Sequence, residues 1–80
     1  MLNLNLLNIN LQKNKIAKLP DEICLLQKIE NINLEWNLIK KLPQAIGQLK
    51  NLKNLYLAEN NIEHLPESIG ELSSLENFQI

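Results

Sequence analysis

Cys24 and His64 are the only thiol and the only imidazole in this chain, and they stand far apart in it. A metal site gathers its ligands closely in space, commonly from short-spaced pairs, and no such pair exists here. The only glycines are Gly47 and Gly70, so no glycine-rich loop can cradle a phosphate. No Ser/His/Asp set or isolated carboxylate pair stands out. We therefore expect no catalysis, no metal and no cofactor. The residues left with chemistry to offer are those of recognition: the large amphipathic side chains Trp36 and Tyr56, the carboxylates Glu35 and Glu59, and many asparagines.

Charge narrows the partners. The formal net charge is -1, all eight basic residues are lysines, and no basic block exceeds Lys40-Lys41. Neither nucleic-acid nor membrane-surface binding is expected. A lone cysteine cannot form an internal disulfide and leaves the compartment unread. Residues 1–11 are apolar enough to suggest a signal peptide, but no Lys or Arg precedes them and Asn3, Asn5, Asn8 and Asn10 interrupt them. No apolar run approaches the roughly 20 residues of a membrane span. As written, the sequence reads as soluble and cytoplasmic, without signal peptide or transmembrane segment.

What positions the recognition residues is a period. A shift of 23 residues brings Ile9, Ile32, Leu55 and Phe78 into one column, and Leu11, Leu34, Leu57 and Ile80 into another. Asn14, Asn37 and Asn60 align, as do Pro20, Pro43 and Pro66. Apolar residues alternate in each x-Leu-x-Leu-x segment, so one face of a short strand points inward and the other outward. One strand per period makes a parallel sheet with neighbours about 4.8 Å apart. With three aromatic residues in all, the stacked core must be built from Leu and Ile.

The segment Leu52-x-x-Leu55-x-Leu57-x-x-Asn60-x-Ile62, with its copies from Ile29 and Leu6, resembles the conserved segment of leucine-rich repeats. The remainder, Leu65-Pro66-x-x-Ile69-Gly70-x-Leu72, is similar to the 23-residue subclass common in bacterial repeat proteins. The resemblance runs from about residue 6 to Ile80, departing where Cys24 replaces Gly and where the outer repeats are incomplete. It implies an α/β solenoid, a short arc of about three and a half repeats beginning near residues 6, 29, 52 and 75. It also implies a concave face that binds protein ligands, host proteins among them by analogy.

Local chemistry adds detail. The Leu-Pro-x-x-Ile segment reads as a short helical turn on the convex side, with Pro at the first helical position. Asp21, Glu22 and Glu67 suit its positive end. Gly47 and Gly70 fall near its end, where a left-handed conformation or tight packing demands a small residue, and Cys24 in that column reads as a buried apolar side chain. Convex turns wider than strands bend the stack.

Asn14, Asn37 and Asn60 follow the strands, where a bend leaves backbone groups unpaired and an amide can satisfy them. Asn8, Asn31, Asn54 and Asn77 line the outer face, where neighbouring amides can form a ladder. The candidate ligand-binding residues are Asn31, Asn33, Glu35, Trp36, Asn54, Tyr56, Glu59 and Gln79, an aromatic patch with an acidic rim suited to a partly basic partner. Four strands of some five residues give about 300 Å² of flat surface, against roughly 800 Å² per partner in an ordinary interface. Binding by this unit alone is expected to be weak.

The ends suggest another class of function. No polar cap closes the stack, Leu2, Leu4 and Leu7 lie outside the columns, and the N-terminal stretch, irregular over residues 1–5, is suited to an extra strand or an improvised cap. Open strand edges invite pairing, as an edge-strand dimer or a head-to-tail filament. A self-assembling subunit, or a fragment of a longer repeat protein, is thus the alternative to a ligand-binding module.

Overall fold

A computed structural model describes residues 3–80 and places the alternating segments in four short strands: β1 (Asn8–Asn10), β2 (Asn31–Asn33), β3 (Asn54–Tyr56) and β4 (Asn77–Gln79). They form one parallel sheet in chain order. The register advances by one period at each step, pairing Ile9 with Ile32, Ile32 with Leu55, and Leu55 with Phe78. The result is the expected solenoid arc. Regular strand covers three residues per coil rather than five, because the chain soon bends away. Backbone bonds between coils nevertheless continue past β2, from Leu34 N–H to Tyr56 O (2.9 Å) and from Trp36 N–H to Ala58 O (3.1 Å).

Opposite the sheet, each coil makes a 3-10 turn: η1 (Asp21–Leu25), η2 (Gln44–Gln48) and η3 (Glu67–Glu71). Proline precedes each turn as its N-cap instead of occupying the first helical position, with ψ of 147°, 144° and 149° at Pro20, Pro43 and Pro66. Its ring fixes φ near a value that extended chain shares. Its carbonyl accepts the first turn bond, from Ile23, Ile46 or Ile69 at 3.1 Å. Asp21, Glu22 and Glu67 stand in the first turns.

The inward columns fill the space between these layers. Ile29, Ile39, Leu49 and Leu52 are wholly buried, as is Leu34, and all belong to the two middle coils. In the outer coils Leu6, Ile9, Leu75 and Phe78 are only partly covered. Each fully buried Leu or Ile contributes about 1.5–3 kcal/mol relative to exposure, so stability concentrates in the middle.

The glycine column has no left-handed member, and tight packing demands the small residue at Gly47 alone. A Cβ on Gly47 would stand 2.4 Å from Ser68 O, in the next coil, whereas one on Gly70 would meet nothing within 4 Å. Left-handed φ occurs instead at Lys13 (61°), Trp36 (60°) and Glu59 (60°), one column in the bend that follows each strand.

Residues 3–5 are not an extra strand. Leu6 N–H donates to Asn3 O at 3.2 Å, the same bond that Ile29 makes to Leu26 O and Leu52 to Leu49 O, both at 3.1 Å. The repeating turn therefore reaches back to Asn3, whose side chain also accepts from Asn5 N–H. Alternation of Leu and Asn misled here, because Asn3 occupies the column of Leu26 and Leu49. Leu2 lies outside the described residues.

Candidate ligand-binding face

Three side-chain systems meet on the concave side, each fixed by its place in the coil. The first is an amide ladder along the sheet: Asn31 donates through Nδ2 to Asn8 Oδ1, Asn54 to Asn31 Oδ1, and Asn77 to Asn54 Oδ1, the last at 2.6 Å. Asn31 and Asn54 thus spend one donor and one acceptor on their neighbours. They make a stiff floor.

Beside the ladder runs the column Asn10, Asn33, Tyr56 and Gln79, brought side by side by the strand register. Asn10 and Asn33 turn their Oδ1 atoms to the backbone N–H groups of Gln12 (3.2 Å) and Glu35 (3.0 Å). Tyr56 is half-buried between inward-facing Leu55 and Leu57, so its ring stands on the open face. Glu35, also half-buried, follows in the next outward position.

The bend holds the third system. Asn37 is the one buried polar side chain among the described residues, 5% exposed. Its Nδ2 donates to Leu34 O (2.9 Å) and across the coils to Leu11 O (3.0 Å), while its Oδ1 accepts from Ile16 N–H (3.1 Å). Asn60 repeats the set toward Leu57 O, Leu34 O and Ile39 N–H. Asn14 reaches only its own coil, at Leu11 O and Gln12 O.

These amides explain how Trp36 and Glu59 are held left-handed. Bonds on both sides of the bend fix a conformation that costs an L-residue about 1–2 kcal/mol. Trp36 and Glu59 therefore leave the flat sheet for its rim, and Trp36 is 56% exposed. Of the eight candidate residues, Asn33, Tyr56 and Gln79 share one row across the sheet, Asn31 and Asn54 lie beside it in the ladder, and Glu35, Trp36 and Glu59 edge the bend. Repetition of a non-glycine residue at position 36 and its equivalents gave no sequence signal of a left-handed backbone.

Cys24 is a buried residue of η1, and burial, helped by the nearby Asp21 carboxylate, raises its thiol pKa. That is an inert thiol's setting. Among the described residues no group of three or more His, Cys, Asp or Glu side chains is placed to hold a metal ion, and no helix is long and apolar enough to cross a membrane.

With this geometry in view, the sequence matches the family described as leucine-rich repeat region across residues 1–80. A solved leucine-rich repeat protein of Leptospira interrogans is similar, with 41% identity and a TM-score of 0.88. The match covers 91% of this chain and 19% of the Leptospira protein, so the chain spans about a fifth of that protein's length. No curated protein matches.

Proposed function

This chain belongs to the leucine-rich repeat family, and we propose that it is a protein-binding module whose concave sheet face holds a protein ligand around Tyr56. The family and fold are commonly those of protein-interaction modules and generally carry no catalysis. One observation supports the face most: Tyr56 stands half-buried on the open side, in register with Asn33 and Gln79, beside a ladder of amides bonded to one another. A rigid floor with an aromatic anchor binds without much loss of side-chain freedom. Glu35 and Glu59 at the rim favour a ligand with some basic character.

Three-residue strands reduce the flat area to about 150–200 Å², well below the roughly 800 Å² of a stable interface. A ligand must also use the rim, and Trp36 extends the face there. The test is capture of proteins by the immobilised chain, followed by titration of each captured ligand against Tyr56→Ala. A loss of at least tenfold is expected, and undiminished affinity refutes the concave face as the site.

Self-association through the outer strands has one observation in its favour. Among the described residues, Asn8 Nδ2 and Asn77 Oδ1 are the unused ends of the ladder, a donor at β1 and an acceptor at β4. Light scattering over a concentration series decides it. A constant monomer mass up to millimolar concentration eliminates assembly.

A further inference from the structure

The lysines, unremarkable as runs in sequence, are gathered by the coils onto one flank. Beyond the bend of the second coil, exposure alternates: Trp36 is exposed, Asn37 buried, Leu38 exposed, Ile39 buried, Lys40 exposed. Trp36, Leu38 and Lys40 therefore make one outward row, with the two apolar members 56% and 46% exposed. The equivalent row of the first coil is Lys13, Lys15 and Ala17, and that of the third is Glu59, Asn61 and Glu63. Backbone bonds hold the rows together, from Leu38 N–H to Ile16 O (2.9 Å), Asn61 N–H to Ile39 O (3.0 Å) and Glu63 N–H to Lys40 O (2.8 Å). The apolar row thus runs between a basic neighbour and an acidic one.

Below it, Lys18, Lys41 and His64 share a column, and Lys41 and His64 pair as a parallel bridge. A shallow groove of about 360 Å³, lined by Ala17, Lys18, Lys40, Lys41, Glu63 and His64, opens between the coils, with small Ala17 giving it depth. A second groove of about 220 Å³ shares Lys18 and Lys41 and adds Asp21. The one ion pair among the described residues joins Lys53 to Glu30, away from this flank. Among the described residues, no carboxylate stands within 4.0 Å of the ammonium groups of Lys13, Lys15, Lys18, Lys40 and Lys41.

From this arrangement we propose that the flank of the first two coils is a second docking surface, for a protein segment that carries carboxylates beside apolar side chains. Its apolar residues cover Trp36 and Leu38, and its carboxylates meet Lys13, Lys15, Lys18 and Lys41. Tryptophan is among the side chains enriched at interface hot spots, and lysine stems add apolar area while their charges stay wet. A uniform polyanion fits worse. Glu63 and Asp21 stand among the cations, and the chain has no arginine, whose planar fork recognises phosphate bidentately. This surface meets the Tyr56 face at Trp36 but runs beyond the bend over Leu38 and the lysines, and it does not rest on that reading.

Trp36 is the only tryptophan, so its fluorescence reports occupancy directly. The full chain is titrated with a ten-residue peptide of alternating Glu and Leu. A saturable shift at 50 mM salt, weakened at least tenfold at 300 mM, is expected. The charge-reversed variant Lys15→Glu, Lys18→Glu, Lys41→Glu should lose it, and Leu38→Asn, which copies Asn61 of the next coil, should weaken it at least threefold. Tyr56→Ala should leave it unchanged. The proposal is overturned by an absent or salt-insensitive shift, by full binding to the charge-reversed chain, or by loss of binding in Tyr56→Ala. Equal or tighter binding of oligothymidine or phosphatidylserine vesicles also overturns it, as does a shift that follows protein concentration without peptide, which would mark a second copy as the occupant.

Discussion

Asn37 and Asn14 share a column but not a workload. Removing the Asn37 amide strands Ile16 N–H, while Leu11 O and Leu34 O each lose one of two amide donors and keep those of Asn14 and Asn60. A buried group left unpaired costs about 1–3 kcal/mol, so Asn37→Ala should lower stability by about 2 kcal/mol in urea unfolding. Asn14→Ala, whose amide is exposed and bonds only within its coil, should cost less than about 1 kcal/mol. Equal losses would mean that the cross-coil bonds carry none of the energy. The left-handed column gives a second test. Glu59→Gly removes a strain of about 1–2 kcal/mol and restores about 0.5–1 kcal/mol of unfolded-state freedom, so stability should hold or rise slightly. Glu59→Val should lower it, because a β-branched side chain resists positive φ. Cys24 adds a dependence on pH. Burial, with Asp21 beside it, raises the folded thiol's pKa, so in alkaline solution the unfolded chain releases this proton first. Stability should be intact at neutral pH and fall as pH rises through the folded value. The alkaline fall should be smaller in Cys24→Ala; identical slopes would remove the thiol from the account.

Between elements, the convex turns carry the sharper constraint. The backbone of η3 occupies the space where a Gly47 Cβ would project, with Ser68 O only 2.4 Å from it, and a backbone atom cannot swing aside. Gly47→Ala should therefore cost about 2–3 kcal/mol as overpacking. Gly70→Ala meets open space and should be neutral or stabilising by about 0.5 kcal/mol through the unfolded chain. Urea midpoints of the two variants check the pair, and equal effects would put the glycine requirement elsewhere. The sequence made the strands legible because Ile9, Ile32, Leu55 and Phe78 recur at one spacing and alternate with polar residues. It also located the asparagines of the bend, since amides beside a tight turn have few other uses. The left-handed column stayed hidden: Lys13, Trp36 and Glu59 are not residues that αL favours, and the conformation comes from bonds made across coils. The lysine flank stayed hidden for a related reason. Lys13, Lys15, Lys18, Lys40 and Lys41 form no long run along the chain and meet only when the period folds it.

At the scale of the whole molecule, each coil touches only its neighbours, so stability is a sum of coil energies and the interfaces between them. The interfaces are unequal. Ile29, Leu34, Ile39, Leu49 and Leu52 are wholly buried in the two middle coils, whereas Leu11 is 42% and Ile80 60% exposed in the outer ones. Fraying should then begin at β1 and β4 while the middle stays closed, and three equivalent amides report it. Leu34 N–H donates to Tyr56 O, so donor and acceptor both lie in the middle coils. Leu11 N–H donates from the first coil to Asn33 O, and Leu57 N–H donates to Gln79 O in β4. Leu57 has its side chain 1% exposed, yet its amide is released as soon as β4 opens. Native-state hydrogen exchange should therefore find Leu34 protected close to the global unfolding free energy, with Leu11 and Leu57 exchanging through smaller, local openings. Side-chain burial alone would instead rank Leu57 with Leu34. Equal protection at all three amides would show that the coils open only together, and the additive picture of the stack would fall.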